Sequence, residues 1–200
     1  RILEKGAGWF CQIGTKRSPG TKLLSISGDC LSPGVYEFPF GVRLSEVLKI
    51  AGANDVLAVQ MGGASGHMVG KDDFERSICF DDLSTGGALM VFGPDRNIVE
   101  IARDFMSFFV HESCGYCTPC RVGNVLLKER LDRILDGRGE AADLEYLETL
   151  CDTVKKASRC GLGQTSPNPV QSLLESFRDV LEGMVDSRQG SFQPSFDIRA

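Results

Sequence analysis

No stretch of this sequence approaches the roughly 20 consecutive apolar residues that a membrane-spanning helix needs. The longest apolar runs are ALMVF at 88–92 and FFV at 108–110, so direct insertion into a bilayer is not expected. A basic stripe is also missing. Lys and Arg number 22 against 27 Asp and Glu, a formal net charge of −5, which argues against nucleic acid as a main partner. Histidine is scarce (His67 and His111), and Ser113 has no paired base in the sequence, so nucleophilic catalysis has no support. No secretory signal opens the chain, which starts on Arg1 in what reads as the middle of a helix. We therefore expect a piece of a longer protein.

What the sequence does have is cysteine, eight in 200 residues. Disulfide scaffolds are usually small, loop-rich secreted domains. This chain is larger, with long amphipathic helices and unevenly clustered cysteines, so a metal site in a reducing cytoplasm fits better. Hydrophobic content of 42% and charged content of 24% are ordinary for a globular chain.

The apolar period divides the chain. Residues 1–14 read as the end of a packed element, and 15–21 as a polar linker. KLLSISGD (22–29) alternates like a strand, and VYEFPF (35–40) is β-branched and aromatic, with Pro39 favouring an edge or a strand end. Leu44, Val47, Leu48 and Ala51 share a helical face that stops at Gly52. DVLAVQMGG (55–63) and ALMVFG (88–93) return to strand, whereas SICFDDL (77–83) has no clear period. A hairpin, a helix and further strands in this length predict a small α+β domain of β-grasp (ubiquitin-like) type over 20–93.

From Pro94 the period is helical. Residues 95–110 place Ile98, Ile101, Ala102, Phe105 and Phe109 on one face, with Asp95 as N-cap and Phe108 also assigned to the core. Thr118 and Pro119 read as N-cap and first residue of the next helix, whose face is Leu127, Leu131, Ile134 and Leu135. Residues 140–157 carry Leu144, Leu147, Cys151 and Val154; residues 169–185 carry Val170, Leu173, Phe177, Leu181 and Met184. Four amphipathic helices predict an all-α four-helix bundle over 94–185. Residues 186–200 lack periodicity and read as an extended tail.

The chemistry concentrates in HESCGYCTPCRVG (111–123), a Cys-x-x-Cys-x-x-Cys run. Gly115 permits a tight bend, and Pro119 stiffens the approach of the third thiol. The triple needs a fourth ligand from elsewhere. Cys151 lies on an apolar stripe and reads as a buried core thiol. Cys160 sits in SRCGLGQ, just past a helix that runs back toward the triple, with Gly161 and Gly163 permitting close approach. Cys11, Cys30 and Cys79 read as structural. Zinc accepts four cysteines but favours two separated pairs; a triple plus one distant cysteine suits a [4Fe–4S] cubane better. A structural zinc or scaffold module that docks subunits stays open as the alternative. Arg121 is read as a cation stabilising the anionic site, and Lys155 and Lys156 as solvated helix-end charges. His111 reads as a surface or supporting residue. The glycine-rich MGGASGHMVG (61–70) reads as a structural turn, since no phosphate-binding signature follows it.

ESCGYCTPCRVG (112–123), followed 40 residues after Cys120 by SRCGLG (158–163), closely resembles the NADH-binding flavoprotein subunit of complex I-type NADH dehydrogenases. GTKLLSISGDCLSPGVYE (20–37), RCGLGQTSPNP (159–169) and PSFD (194–197) resemble most the diaphorase large subunit of NAD-reducing hydrogenases, and NAD-dependent formate dehydrogenases carry a similar subunit. The resemblance implies that the chain is the C-terminal part of such a subunit. Residues 1–19 would end an upstream flavin/NADH domain and its linker, and 20–93 would be a soluble-ligand-binding β-grasp domain, leaving 94–185 as the iron–sulfur bundle. It implies a [4Fe–4S] cluster on Cys114, Cys117, Cys120 and Cys160, passing electrons between FMN, fed by NADH, and clusters of partner subunits, or in reverse toward NAD⁺. The family's glycine-rich FMN/NADH loop has no counterpart in 1–200. Gly161 and Leu162 would then contribute at most one wall of the flavin pocket.

Overall fold

The computed structural model describes residues 1–185; the tail expected to be extended lies outside them. The chain is mixed α/β and forms two compact units, Arg1–Ile98 and Val99 onward.

The first unit is built on a five-stranded sheet: β1 (Thr21–Gly28), β2 (Gly34–Pro39), β3 (Ala58–Met61), β4 (His67–Gly70) and β5 (Ala88–Phe92), in the order β2-β1-β5-β3-β4. β1 and β5 are parallel, with Ile26 opposite Leu89; every other neighbouring pair is antiparallel. The alternation in β1 is the reason it folds this way: Leu24 and Ile26 are buried, while Leu23, Ser25 and Ser27 face outward. Pro39 closes β2 opposite Thr21, where a missing N–H costs least. Two short helices, α1 (Ile2–Lys5) and α2 (Ala7–Phe10), open the chain, and neither buries a residue. Trp9, Phe10 and Ile13 in and just after them are half-buried. A third helix, α3 (Leu44–Ile50), lays Leu44, Val47 and Leu48 into the same apolar core as Leu24, Ile26, Val59, Leu89 and Val91. Each such side chain contributes about 2 kcal/mol by leaving water.

Two expectations for this unit need correction. The segment 15–21 is no free linker: Ser18 is fully buried and its Oγ accepts the Phe80 N–H at 3.0 Å. The glycine-rich stretch 61–70 holds a turn only at its start. Its second half is β4, which four residues ending in glycine were too short to reveal. The Gln60 side chain closes this hairpin by donating Nε2–H to the Gly63 carbonyl at 2.7 Å. Within 77–83 only Ser77 is paired, in an isolated bridge with Arg43, while Ile78, Cys79 and Leu83 are buried.

The second unit is helical. Helix α4 (Ile98–Glu112) starts after Asn97, so Asp95 lies in the preceding turn and is not its cap. Its buried stripe includes Val99, Ala102, Met106 and Phe109; Ile101 and Phe105 are only half-buried, and Phe108 is 48% exposed, set edge-on to Phe109. The buried stripe is thus rotated within the broad apolar side of this helix, opposite the polar face of Glu100, Arg103, Asp104, Ser107 and His111. Helices α5 (Thr118–Leu135) and α6 (Ala141–Ala157) form an antiparallel hairpin. At one end Arg130 Nη1 meets the buried Asp143 at 2.6 Å; at the other, Gly123 admits Val154. A capping box between Glu140 and Asp143 starts α6, and Arg133 bonds both carboxylates, reaching Asp143 at 3.1 Å. After α7 (Gly161–Thr165), the helix expected over 169–185 is two: α8 (Asn168–Ser176) and α9 (Arg178–Met184). The break is Phe177 (φ −137°, ψ 32°), and Leu173, Phe177 and Leu181 stay buried across it. Met184, expected on that face, is half-buried.

Candidate metal centre

The cysteine run enters α5 from its N-terminal side. Gly115 takes φ +76°, a left-handed conformation that turns the chain between Cys114 and Cys117. Arg121 reaches back and donates Nη1–H to the Gly115 carbonyl at 2.7 Å, pinning the turn. Its guanidinium therefore braces the loop, a role the sequence did not suggest. Helix α5 begins one residue earlier than expected: Cys117, not Thr118, is the N-cap, in extended conformation, and Pro119 is the second helical residue. Cys120 follows one turn later and is buried, Cys117 is half-buried and Cys114 is exposed. Cys160 is itself the N-cap of α7 and is exposed.

The hairpin returns the segment 158–163 to the level of Cys117 and Cys120. A Cβ placed on Gly163 would lie 2.5 Å from Ser158 Oγ and 3.0 Å from Cys120 Cβ, so only glycine allows this approach. Backbone N–H groups of Arg159 and then of Cys120 hold the Cys117 thiol below its ordinary pKa, with a smaller contribution from the Ser158 hydroxyl. These donors favour the thiolate, the form that binds metal. Cys120 Sγ lies 3.3 Å from Ser113 Oγ and 3.4 Å from Asn124 Nδ2. Arg159 stacks over Tyr116, its guanidinium carbon 4.7 Å from the ring centroid.

Cys151 is the opposite case. It is 1% exposed on the apolar stripe of α6, and burial pushes its thiol up to about 12. It stays protonated, and it lies two turns back from Ser158. Of the cysteines read as structural, Cys79 is buried and Cys30 packs on the sheet core, but Cys11 is exposed. His111 is exposed at the end of α4. Lys155 bonds Gln171 and Lys156 bonds Asp152, as solvated helix-end charges would. Gly161 is exposed and Leu162 half-buried, directly beside Cys160.

The chemistry of this donor set fits an iron–sulfur cluster. It offers thiols and, around them, N–H and O–H donors aimed at sulfur, which is how a protein stabilises anionic cluster ligands. Ser158 Oγ is buried without a hydrogen-bond partner of good geometry, a donor left over at the rim of the site. Among the described residues, no group of three or more His, Cys, Asp or Glu side chains is gathered closely enough to hold a metal ion. The donors that sequence reasoning missed are Asn124, Ser158, Ser166 and two backbone amides. Asn124 had one signal, a polar residue on the stripe that Leu127 and Leu131 continue.

Residues 100–184 match the family described as the NADH-ubiquinone oxidoreductase-F iron–sulfur binding region. This part of the chain is thus similar to an iron–sulfur binding region. Along nearly its whole length the chain is similar to subunits of hydrogenases and NADH dehydrogenases. It is 45% identical over 199 residues to the NAD-reducing hydrogenase HoxS subunit alpha of Cupriavidus necator, covering 99% of this chain and 33% of that one. Identity is 38% to the NADP-reducing hydrogenase subunit HndC of Solidesulfovibrio fructosivorans, over 94% of this chain and 41% of the relative. For an NADH-quinone oxidoreductase subunit of Rhizobium meliloti it is 36%, over 96% and 48%. A solved structure of an NAD⁺-reducing [NiFe]-hydrogenase in the H₂-reduced state superposes with a TM-score of 0.89 at 39% identity, covering 94% of this chain and 34% of that one. The chain therefore spans less than half the length of each of these relatives.

Proposed function

We propose that Cys114, Cys117, Cys120 and Cys160 hold a [4Fe–4S] cluster, and that the chain relays electrons between FMN at an NADH/NAD⁺ site and the clusters of partner iron–sulfur subunits. The setting would be an NADH dehydrogenase or an NAD-reducing hydrogenase. The observation that carries this reading is the packing of the 158–163 turn on Cys117 and Cys120, inside the region that matches the iron–sulfur family. A [4Fe–4S] cluster supplies one-electron transfer at a potential set by its surroundings. The chain's own residues do the rest. Gly115 and Arg121 fix the loop, the Arg159 and Cys120 amides stabilise thiolate, and Gly163 keeps the turn pressed on α5 so that water is kept from Cys120.

The finer architecture follows the same reading. The sheet with α3 on one face supports a β-grasp domain over 20–93. Helices α4, α5, α6 and the broken α8–α9 support a four-helix bundle over 94–185. Residues 1–19 would join these to the domain carrying FMN and NADH, with Gly161 and Leu162 forming one wall of the flavin site. Among the described residues no helix is long and apolar enough to cross a membrane, in keeping with a cytoplasmic place, free or peripheral through partner subunits.

Anaerobic purification of Cys160→Ser and Cys151→Ser tests the ligand set. The first should lose or convert the cluster, and the second should keep the brown colour, about four irons and the EPR signal on reduction. The reverse pattern overturns the assignment, and a colourless wild type with one zinc would establish the scaffold alternative.

A further inference from the structure

Asn124 is fully buried on α5, one turn beyond Cys120. Its Nδ2 lies 3.4 Å from Cys120 Sγ, and its Oδ1 accepts the Ser166 hydroxyl at 2.7 Å. Ser166 is also fully buried, at the end of α7, with its Oγ 3.2 Å from the Gly163 carbonyl. A carboxamide on an apolar stripe costs free energy unless both its ends are bonded, and here one end is bonded to a sulfur.

Charge decides which way the amide faces. A sulfur that ligates iron carries no proton and can only accept. Asn124 must then present Nδ2–H to it and keep Oδ1 for Ser166, whose proton fixes that orientation. Ser113 makes a second contact with the same sulfur at 3.3 Å, and its Oγ accepts the Gly115 N–H at 3.3 Å. Ser113 is half-exposed, so water can replace its hydroxyl if it is lost. No water replaces Asn124 at a fully buried position.

We propose that Asn124, oriented by Ser166, sets the reduction potential of the cluster through an N–H···S hydrogen bond to Cys120; this rests on the reading of Cys120 as a ligand. Reduction adds one electron and spreads negative charge onto the ligand sulfurs. A hydrogen bond to sulfur strengthens as that charge grows, so it favours the reduced form and raises the potential. Asn124 is a positioning residue in this account: it acts on the electron through the sulfur it bonds.

The test is an EPR-monitored redox titration of the full chain, purified anaerobically, beside iron content and unfolding. Asn124→Leu should lower the equilibrium constant for reduction about tenfold, a shift of about 59 mV to more negative potential for a one-electron couple. Ser166→Ala should shift it in the same direction by less. Ser172→Ala removes a buried hydroxyl that donates to the Asn168 carbonyl on α8, and should cost stability while leaving the potential in place. Asn124→Leu and Ser166→Ala proteins that keep their iron and EPR line shape yet titrate like wild type overturn the proposal. Asn124 would then serve only to tie α5 to α7. If Asn124→Leu loses its iron, the Ser166→Ala potential decides. A wild type that binds no iron overturns the ligand assignment itself, before any variant is compared.

Discussion

The two units hide different kinds of atom. In the sheet unit the interior is hydrocarbon, and among the described residues only Ser18 and Gln60 are buried polar side chains. In the helical unit there are six: Asn124, Asp143, Ser158, Ser166, Asn168 and Ser172. Three of these, Asn124, Ser158 and Ser166, stand around Cys120 and the turn that carries Cys160; Asp143 stands at the other end of the same hairpin. Burying polar atoms lowers stability unless they are bonded. The sheet unit is therefore built to hold its shape, and the helical unit to hold something else as well.

Removing iron should sharpen that contrast most. Chelation should lower hydrogen-exchange protection of α5–α7 by more than about tenfold, because metal binding is coupled to folding of its ligand loop, and should leave β1 and β5 unchanged. Equal loss in both units would erase the comparison. Next in size is Asp143→Ala, which leaves Arg130 and Arg133 facing an empty site and removes half of a capping box. It should cost the helical unit about 3 kcal/mol, read by exchange at α5 and α6, with no change in the sheet.

The smallest effect belongs to the sheet unit. Asp29 accepts two hydrogen bonds from Arg96, at 2.7 and 2.9 Å, and one from the Gly93 N–H. Led by the Arg96 bonds, these lower its pKa from 3.8 to about 2. The folded form is the stronger acid, so the stabilisation is complete above about pH 4 and is lost as pH falls toward 2. The pair is largely solvated, so Asp29→Asn should cost under about 1 kcal/mol at pH 7. Denaturant curves of wild type and variant should converge at pH 2, and a gap that persists there would show that the carboxylate is not its source.

Periodicity made the sheet and the helices legible because burial selects residues at a spacing of 2 or 3.6. It failed where the period carries no information. β4 is too short to show one. The α8–α9 break leaves Leu173, Phe177 and Leu181 at the same spacing of four, so the stripe continues while the backbone does not. In the candidate site, the apolar neighbours of Cys151 separated it from Cys160. The donors at the sulfurs could not be read, since two are backbone N–H groups of Arg159 and Cys120. Asn124 and Ser166 are brought together from positions 42 residues apart.

Helices α5 and α6 run 18 and 17 residues, near 27 and 25 Å at the usual rise per residue. With one end clamped by Asp143, Arg130 and Arg133, the pair acts as a gauge. It measures off the distance from the triple to the turn that bears Cys160 and brings the chain back level with where it began. One residue inserted in the middle of either helix would rotate everything beyond it by about 100° and advance it about 1.5 Å. A change of length in one helix therefore keeps the register only when the other changes with it.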